Sequence, residues 1–185
     1  MLKNRILLLL GVVVCFYVAC KQDPPYDYNA QAAIDDLVIK KYLSDNNITA
    51  QKTPEGLYYT IINQGTGTSG IALKDSLIIH YVGRLVPSGT VIDSTSVVYN
   101  PATITAIDST QLALLTKLLF NDAMPGWQIG LQKLNVGGKI RLIIPSTLAF
   151  QNRPIGSILN ATVPTPVPAN SVLDFDIDFV RLRRK

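Results

Sequence analysis

Between residues 30 and 46 the apolar positions Ala33, Ile34, Leu37, Val38 and Tyr42 recur at helical spacing, which predicts an amphipathic helix there. Asp35 and Asp36 fall early and Lys40 and Lys41 late, the order a helix dipole favours, and Asn46-Asn47 supplies a stop. Beyond this helix the period drops to two. Residues 57–62, 76–85, 139–144 and 172–182 read as strands. Turn chemistry separates them: Gly65, Gly67 and Gly70, then Pro87-Ser88-Gly89, then Gly137-Gly138. A second helical stretch is expected at 111–120, with Leu112, Leu115, Leu118 and Leu119 on one stripe. Few, widely separated strands with little helix predict an α+β domain built on an antiparallel sheet, without internal repeats.

The N-terminal 29 residues follow neither period. Lys3 and Arg5 precede an apolar run over 6–19, which is short for a bilayer span but suits the core of a signal peptide. Tyr17-Val18-Ala19-Cys20 resembles a bacterial lipobox, whose cysteine is lipidated and becomes the first residue, although the family prefers leucine where Tyr17 stands. An uncleaved anchor is the alternative. Residues 20–29, with Pro24-Pro25, read as a tether. The expected organisation is a lipoprotein signal peptide at 1–19, a tether at 20–29, a helical extension at 30–53 and a folded domain at 54–185. This arrangement places the folded body at a membrane surface, lipid-anchored in a bacterial envelope and facing the periplasm or the exterior, with an outer-membrane location favoured.

Composition then removes whole classes of chemistry. The 185 residues, 48% of them hydrophobic and 16% charged, suffice for one domain with a real core and are too apolar for disorder. Of the 17 Lys and Arg, two precede Cys20, so 15 face 13 acids in the shortened chain, a net charge of +2. No strong basic field remains for nucleic acid. One histidine, His80, and two cysteines exclude a metal site built from several such ligands. Gly65-Thr66-Gly67-Thr68-Ser69-Gly70 matches a dinucleotide fingerprint by letter, but strand-like residues follow where a helix must start, so a hairpin loop is expected. Gly137-Gly138-Lys139 lacks both flanking positions of a phosphate-binding loop. Asp174, Asp176 and Asp178 open like a calcium loop that is never completed; in a strand they share one face, about 7 Å apart, expected to be solvated. His80 has no nucleophile motif beside it. The terminal Arg181, Arg183, Arg184 and Lys185 read as a solubilising strand end.

A longer ordered set of motifs remains. Ile79-His80-Tyr81-Val82-Gly83, Ile92-Asp93-Ser94, Pro125-Gly126-Trp127, Gly130-Leu131 and Val136-Gly137-Gly138-Lys139 appear in that order. Ile144-Pro145, Leu148-Ala149-Phe150, Pro168-Ala169-Asn170-Ser171 and Phe175-Asp176 complete it. Over about residues 54–182 the chain resembles the FKBP-type peptidyl-prolyl cis-trans isomerases. The resemblance implies a strongly curved antiparallel sheet wrapped around a short helix beginning near Pro125, with the 30–46 helix as an N-terminal extension. It implies catalysis without nucleophile, metal or cofactor. The C–N bond resists rotation by about 18–20 kcal/mol, and an apolar, poorly solvated pocket lowers that barrier by favouring the twisted amide.

By the same resemblance Trp127 forms the pocket floor, Tyr81 and Phe175 its sides, and Asp93 a hydrogen-bonding group near the twisting amide. Read alone, the aromatics suit core packing equally well, and Asp93 suits a turn or cap. Ala123 and Met124 match the aliphatic pair before Pro125, with the Met124 amide as donor to a substrate carbonyl. Three positions depart from the family: Ile92 replaces phenylalanine, Phe150 replaces a tyrosine hydroxyl, and Ala102 replaces an aromatic. An insertion at 109–120 precedes the tryptophan, and a long loop at 151–168 with Pro164, Pro166 and Pro168 replaces the compact rim. The expected partners are proline-containing exported polypeptides and, through Cys20, the membrane; the missing contacts count against macrolide binding. A binding or chaperone module with reduced activity, and an assembly subunit using the insertion, are the competing expectations.

Overall fold

The computed structural model describes residues 25–67, 70–95, 122–155 and 166–185, together with the backbone of 116–119. The expected signal peptide, Cys20, Ala102, residues 109–115 and the middle of the 151–168 loop lie outside the described residues. In chain order the described elements are α1 (Tyr28–Asp45), β1 (Gln51–Lys52), β2 (Tyr58–Asn63), β3 (Ser76–Leu85), β4 (Val91–Ser94) and β5 (Thr116–Leu119). Then come α2 (Pro125–Leu131), β6 (Lys139–Ile144), a 3-10 turn at Ser146–Leu148 and β7 (Leu173–Arg183).

The last strand made is the middle of the sheet. β7 runs antiparallel to β3 on one side and to β6 on the other, giving the order β1-β2-β6-β7-β3-β4. The far edge of β3 is covered in two pieces, β4 opposite 82–84 and β5 opposite 76–79. Thr116–Leu119 is therefore strand rather than the end of the expected helix at 111–120. Residues 76–79 of β3 offer an unpaired row of amides and carbonyls, and pairing satisfies those groups at both strands. A short leucine-rich run is compatible with either state. The glycine-rich stretch ending at Gly70 is not a hairpin loop, because β2 pairs with β6 and β3 with β7.

The two faces of the sheet are buried by different helices. On the inner face Leu77, Ile79 and Tyr81 from β3, Ile140, Leu142 and Ile144 from β6, and alternate residues from Leu173 to Phe179 of β7 enclose α2. Close approach depends on Gly126 and Gly130, one helical turn apart. A Cβ at either would lie 2.5 Å from Ile144 or from Leu142. The α+β reading and the short inner helix starting at Pro125 hold.

On the outer face α1 packs Ile39 and Tyr42 against Tyr58, Ile143 and Val172. Its buried line is Asp35–Ile39–Tyr42, whereas Ile34 is 54% and Leu37 70% exposed. The apolar stripe expected from spacing is thus rotated away from the sheet. The sheet supplies the reason: its outer face carries Arg141 and the aspartates of β7, which reward polar anchors on the helix. Tyr42 Oη donates to Asp174 Oδ2 at 2.9 Å, and Arg141 pairs with the same carboxylate at 2.6 Å. Asp176 pairs with Arg84 and Asp178 with Lys139. The three aspartates share a face as expected; Asp174 is fully buried and Asp178 buried, so these two are covered and ion-paired, while Asp176 stays partly exposed. The helix starts at Tyr28, two residues before the expected start, because the Asp27 side chain caps Ala30 N at 3.0 Å. Asp35 and Asp36 then lie beyond its first turn and serve tertiary bonds instead of the dipole.

Candidate functional site

Three aromatic rings meet at the inner face where β3 and β7 pass the start of α2. Trp127 stands edge-on to Phe175, centroids 5.0 Å apart at 90°, and 5.0 Å from Tyr81 at 69°. Tyr81 and Phe175 are 6.1 Å apart, which closes the triangle. Such edge-to-face contacts set ring positions as well as adding burial. Each ring has a backbone reason for its place. Tyr81 and Phe175 point inward by strand alternation. Opposite Phe175 in the register is Gly83, where a Cβ would lie 2.3 Å from the ring, so the absent side chain makes room for the aromatic. Trp127 sits in the first turn of α2, where Pro125 fits without sacrificing a hydrogen bond.

Beside the rings β4 delivers Asp93, which is buried and accepts a hydrogen bond from the Tyr81 hydroxyl at 2.6 Å. Burial pushes its carboxyl up from the usual value, with the Tyr81 bond opposing that rise only in part. Among the described residues, its second oxygen, Oδ1, and Trp127 Nε1 are buried and find no hydrogen-bond partner. Two orphaned polar atoms in one aromatic cluster leave a donor and an acceptor for an incoming group. Asp93 is therefore a strand residue with a tertiary bond, and the turn or cap reading does not hold.

Ile92 is fully buried in the same core, and Ala123 is buried just before α2. Met124 is half-buried; its carbonyl accepts from Trp127 N and Gln128 N, while its own N–H makes no hydrogen bond among the described residues. Phe150 is half-buried and packs against the main core cluster beyond the 3-10 turn. The ends of the rim loop are tied by an Ile155–Val167 bridge and by Asn170 N donating to Gln151 O at 2.8 Å. The eight expected pocket residues thus belong to one core cluster and the Asp93 beside it.

Thr95 is a site residue that spacing did not reveal. Its Oγ1 accepts from Tyr81 N at 3.1 Å and also contacts His80 Nδ1, fixing the backbone at Tyr81 from just past the end of β4. Burial lowers the His80 pKa, opposed by Asp178, and its ring lies on the face away from the aromatic cluster. Among the described residues no cluster of His, Cys, Asp or Glu suits a metal ion. A surface cleft lined by Ala32, Asp36, Lys52, Glu55, Pro145 and Thr147 lies beside α1 and shares no residue with the aromatic site.

Comparison with known proteins gives one consistent result. The family described as FKBP-type peptidyl-prolyl cis-trans isomerase matches residues 67–180. The isomerase FkpA of Buchnera aphidicola subsp. Schizaphis graminum is 32% identical over 147 residues, 80% of this chain and 48% of that protein. The FKBP-type 22 kDa isomerase of Escherichia coli is 31% identical over 144 residues, 77% of this chain and 58% of its own. The chain spans about half the length of the curated relatives it matches. The crystal structure of Escherichia coli FkpA superposes with a TM-score of 0.58 at 22% identity, covering 98% of this chain and 71% of that one.

Proposed function

The chain belongs to the FKBP-type peptidyl-prolyl cis-trans isomerases, and from that premise we propose that it accelerates rotation about Xaa-Pro bonds in exported polypeptides of a bacterial envelope. The observation that carries this reading is the Tyr81–Trp127–Phe175 triangle beside a buried Asp93 whose Oδ1 has no hydrogen-bond partner among the described residues. A prolyl ring stacked on Trp127 gains apolar contact on three sides. The amide before it then lies among groups that solvate poorly, which favours the twisted form over the planar one. Asp93 Oδ1 accepts from, or acts electrostatically on, the rotating amide, and the Met124 N–H donates to a substrate carbonyl. No bond is made or broken, so no nucleophile is needed.

Lipid attachment at Cys20 places this activity at a membrane, as its lipobox-like surroundings suggest. Mass spectrometry of the mature protein tests it: an acylated Cys20 N-terminus is expected, and an intact Met1 end overturns it. The activity is tested with a protease-coupled assay on a Xaa-Pro peptide and with a refolding substrate limited by proline isomerisation. Rates above background are expected in both, and background rates in both with folded protein sink the catalytic reading.

A second reading, a binding or chaperone module of low activity, is favoured by Phe150, which brings no hydroxyl to the rim, and by Ile92. It predicts suppression of client aggregation that survives loss of Asp93, whereas isomerisation does not.

A further inference from the structure

Ser146 is the residue around which the Phe150 segment is folded. Its carbonyl accepts from Ala149 N at 3.0 Å and Gln151 N at 2.8 Å. Its own N–H and hydroxyl both donate to Asp35 Oδ2, each at 2.7 Å. Gln151 holds φ at 56°, a left-handed conformation that a glutamine seldom adopts unaided. The turn is therefore held from outside rather than by its own preferences.

The outside hold comes from α1. Asp35 is 1% exposed and receives a third bond from Gln31 Nε2 at 2.7 Å. Tyr28 Oη adds a bond to the Thr147 carbonyl at 3.2 Å. Ser146 is itself fully buried, so removing the carboxylate strands two buried donors. From Ser146 the chain passes Leu148, which enters the inner core, and reaches Phe150, which packs against the same core cluster that holds Tyr81, Trp127 and Phe175. One carboxylate on the outer face thus ties down a segment whose far end lines the inner face.

We propose that Asp35 is a positioning residue for the aromatic pocket, setting the place of Phe150 through Ser146 and thereby the affinity for a prolyl substrate. This rests on the isomerase reading for the word substrate, but its mechanical part does not. The α1 helix then acts as a part of the site and not only as an appendage.

The test compares Asp35→Ala, Asp35→Asn and Tyr42→Phe in the full chain. Three quantities are read at a temperature where all are folded. They are amide exchange at Ala149 and Gln151, quenching of the single tryptophan by a proline tetrapeptide, and KM against kcat. Asp35→Ala is expected to speed both exchanges by about tenfold and to raise peptide Kd and KM by a similar factor, with kcat less changed. Asp35→Asn retains an acceptor and is expected to restore most of the difference. Tyr42→Phe loosens α1 without touching Ser146 and is expected to leave exchange and KM alone. Unchanged exchange and Kd in Asp35→Ala, or the same loss in Tyr42→Phe, overturns the proposal. If Asp35→Ala does not fold, Ser146→Ala removes one of the two donors, and an intermediate rise in exchange and Kd is required of it. A wild-type protein that neither binds nor turns over the peptide defeats the isomerase reading, while the exchange readout still decides whether Asp35 holds the Phe150 segment.

Discussion

The Tyr81 hydroxyl and the Asp93 carboxylate are joined at 2.6 Å across β3 and β4, and among the described residues the acid's buried Oδ1 meets no hydrogen-bond partner. Burying a carboxylate is expensive, and that cost outweighs its hydrogen bonds in the upward displacement of its pKa. Tyr81→Phe removes that donor and unpins one pocket wall. A fall of about tenfold in kcat/KM is expected, measured against an unchanged far-ultraviolet spectrum.

The sign of the pH effect follows from the same pair. The folded acid binds a proton at a pH where the unfolded acid, near 3.8, has lost it. The ionised carboxylate therefore weakens the fold, fully so above the folded pKa, and the penalty vanishes below the unfolded one. Relative to Asp93→Asn, the wild-type protein is expected to gain stability as pH falls from neutral towards 3.8. Urea midpoints for both proteins across that range check this, and a difference that stays constant or moves the other way refutes it.

Phe150 and Ile92 are equivalent in the sequence comparison and different in the structure. Phe150 is half-buried, so Phe150→Tyr adds a hydroxyl at a rim with room for it; several-fold higher kcat/KM, about five- to tenfold, is expected at little cost in stability. Ile92 is fully buried, and Ile92→Phe overpacks the core by about 1–3 kcal/mol before any benefit to binding. Thermal melts beside peptide kinetics separate the two.

Gly83→Ala places a methyl group 2.3 Å from the Phe175 ring, with the strand register fixing both. The ring must turn or the strands must part. A loss of about 2 kcal/mol or more is expected in urea unfolding, together with loss of peptide-dependent Trp127 quenching.

Arg141→Met leaves Asp174 buried with, among the described side chains, only the Tyr42 hydroxyl as partner. About 3 kcal/mol of stability is expected to be lost, because an uncompensated buried charge costs more than the pair contributes. The aromatic site faces the other way, so turnover per folded molecule should change little. Denaturation and an active-site titration measure the two effects apart.

Strands were legible where alternation was strong: 76–85 and 139–144 coincide with β3 and β6. The pocket residues were legible only through family motifs, since Tyr81, Trp127 and Phe175 carry no periodic signal that distinguishes a site from a core. The α1 face was misread because spacing ranks Ile34 and Leu37 above Asp35, whereas the 3-10 turn after β6 offers a buried serine amide and the sheet an ionic ladder. The stripe at 111–120 was misread at its end, where a long-range edge decides the state of Thr116–Leu119. Both failures concern partners far away in the chain, which local patterns do not encode.

The central place of β7 has a consequence for how the molecule comes into being. A chain emerging from its N-terminus can pair β1, β2 and β6 as one ribbon and β3, β4 and β5 as another, but among the described residues no strand pairing joins them until Leu173–Arg183 has been made. Until then β6 and β3 each present an open edge, the kind of surface on which stray chains stack. A truncation or early stop just before Leu173 therefore leaves two ribbons with open edges rather than a smaller domain.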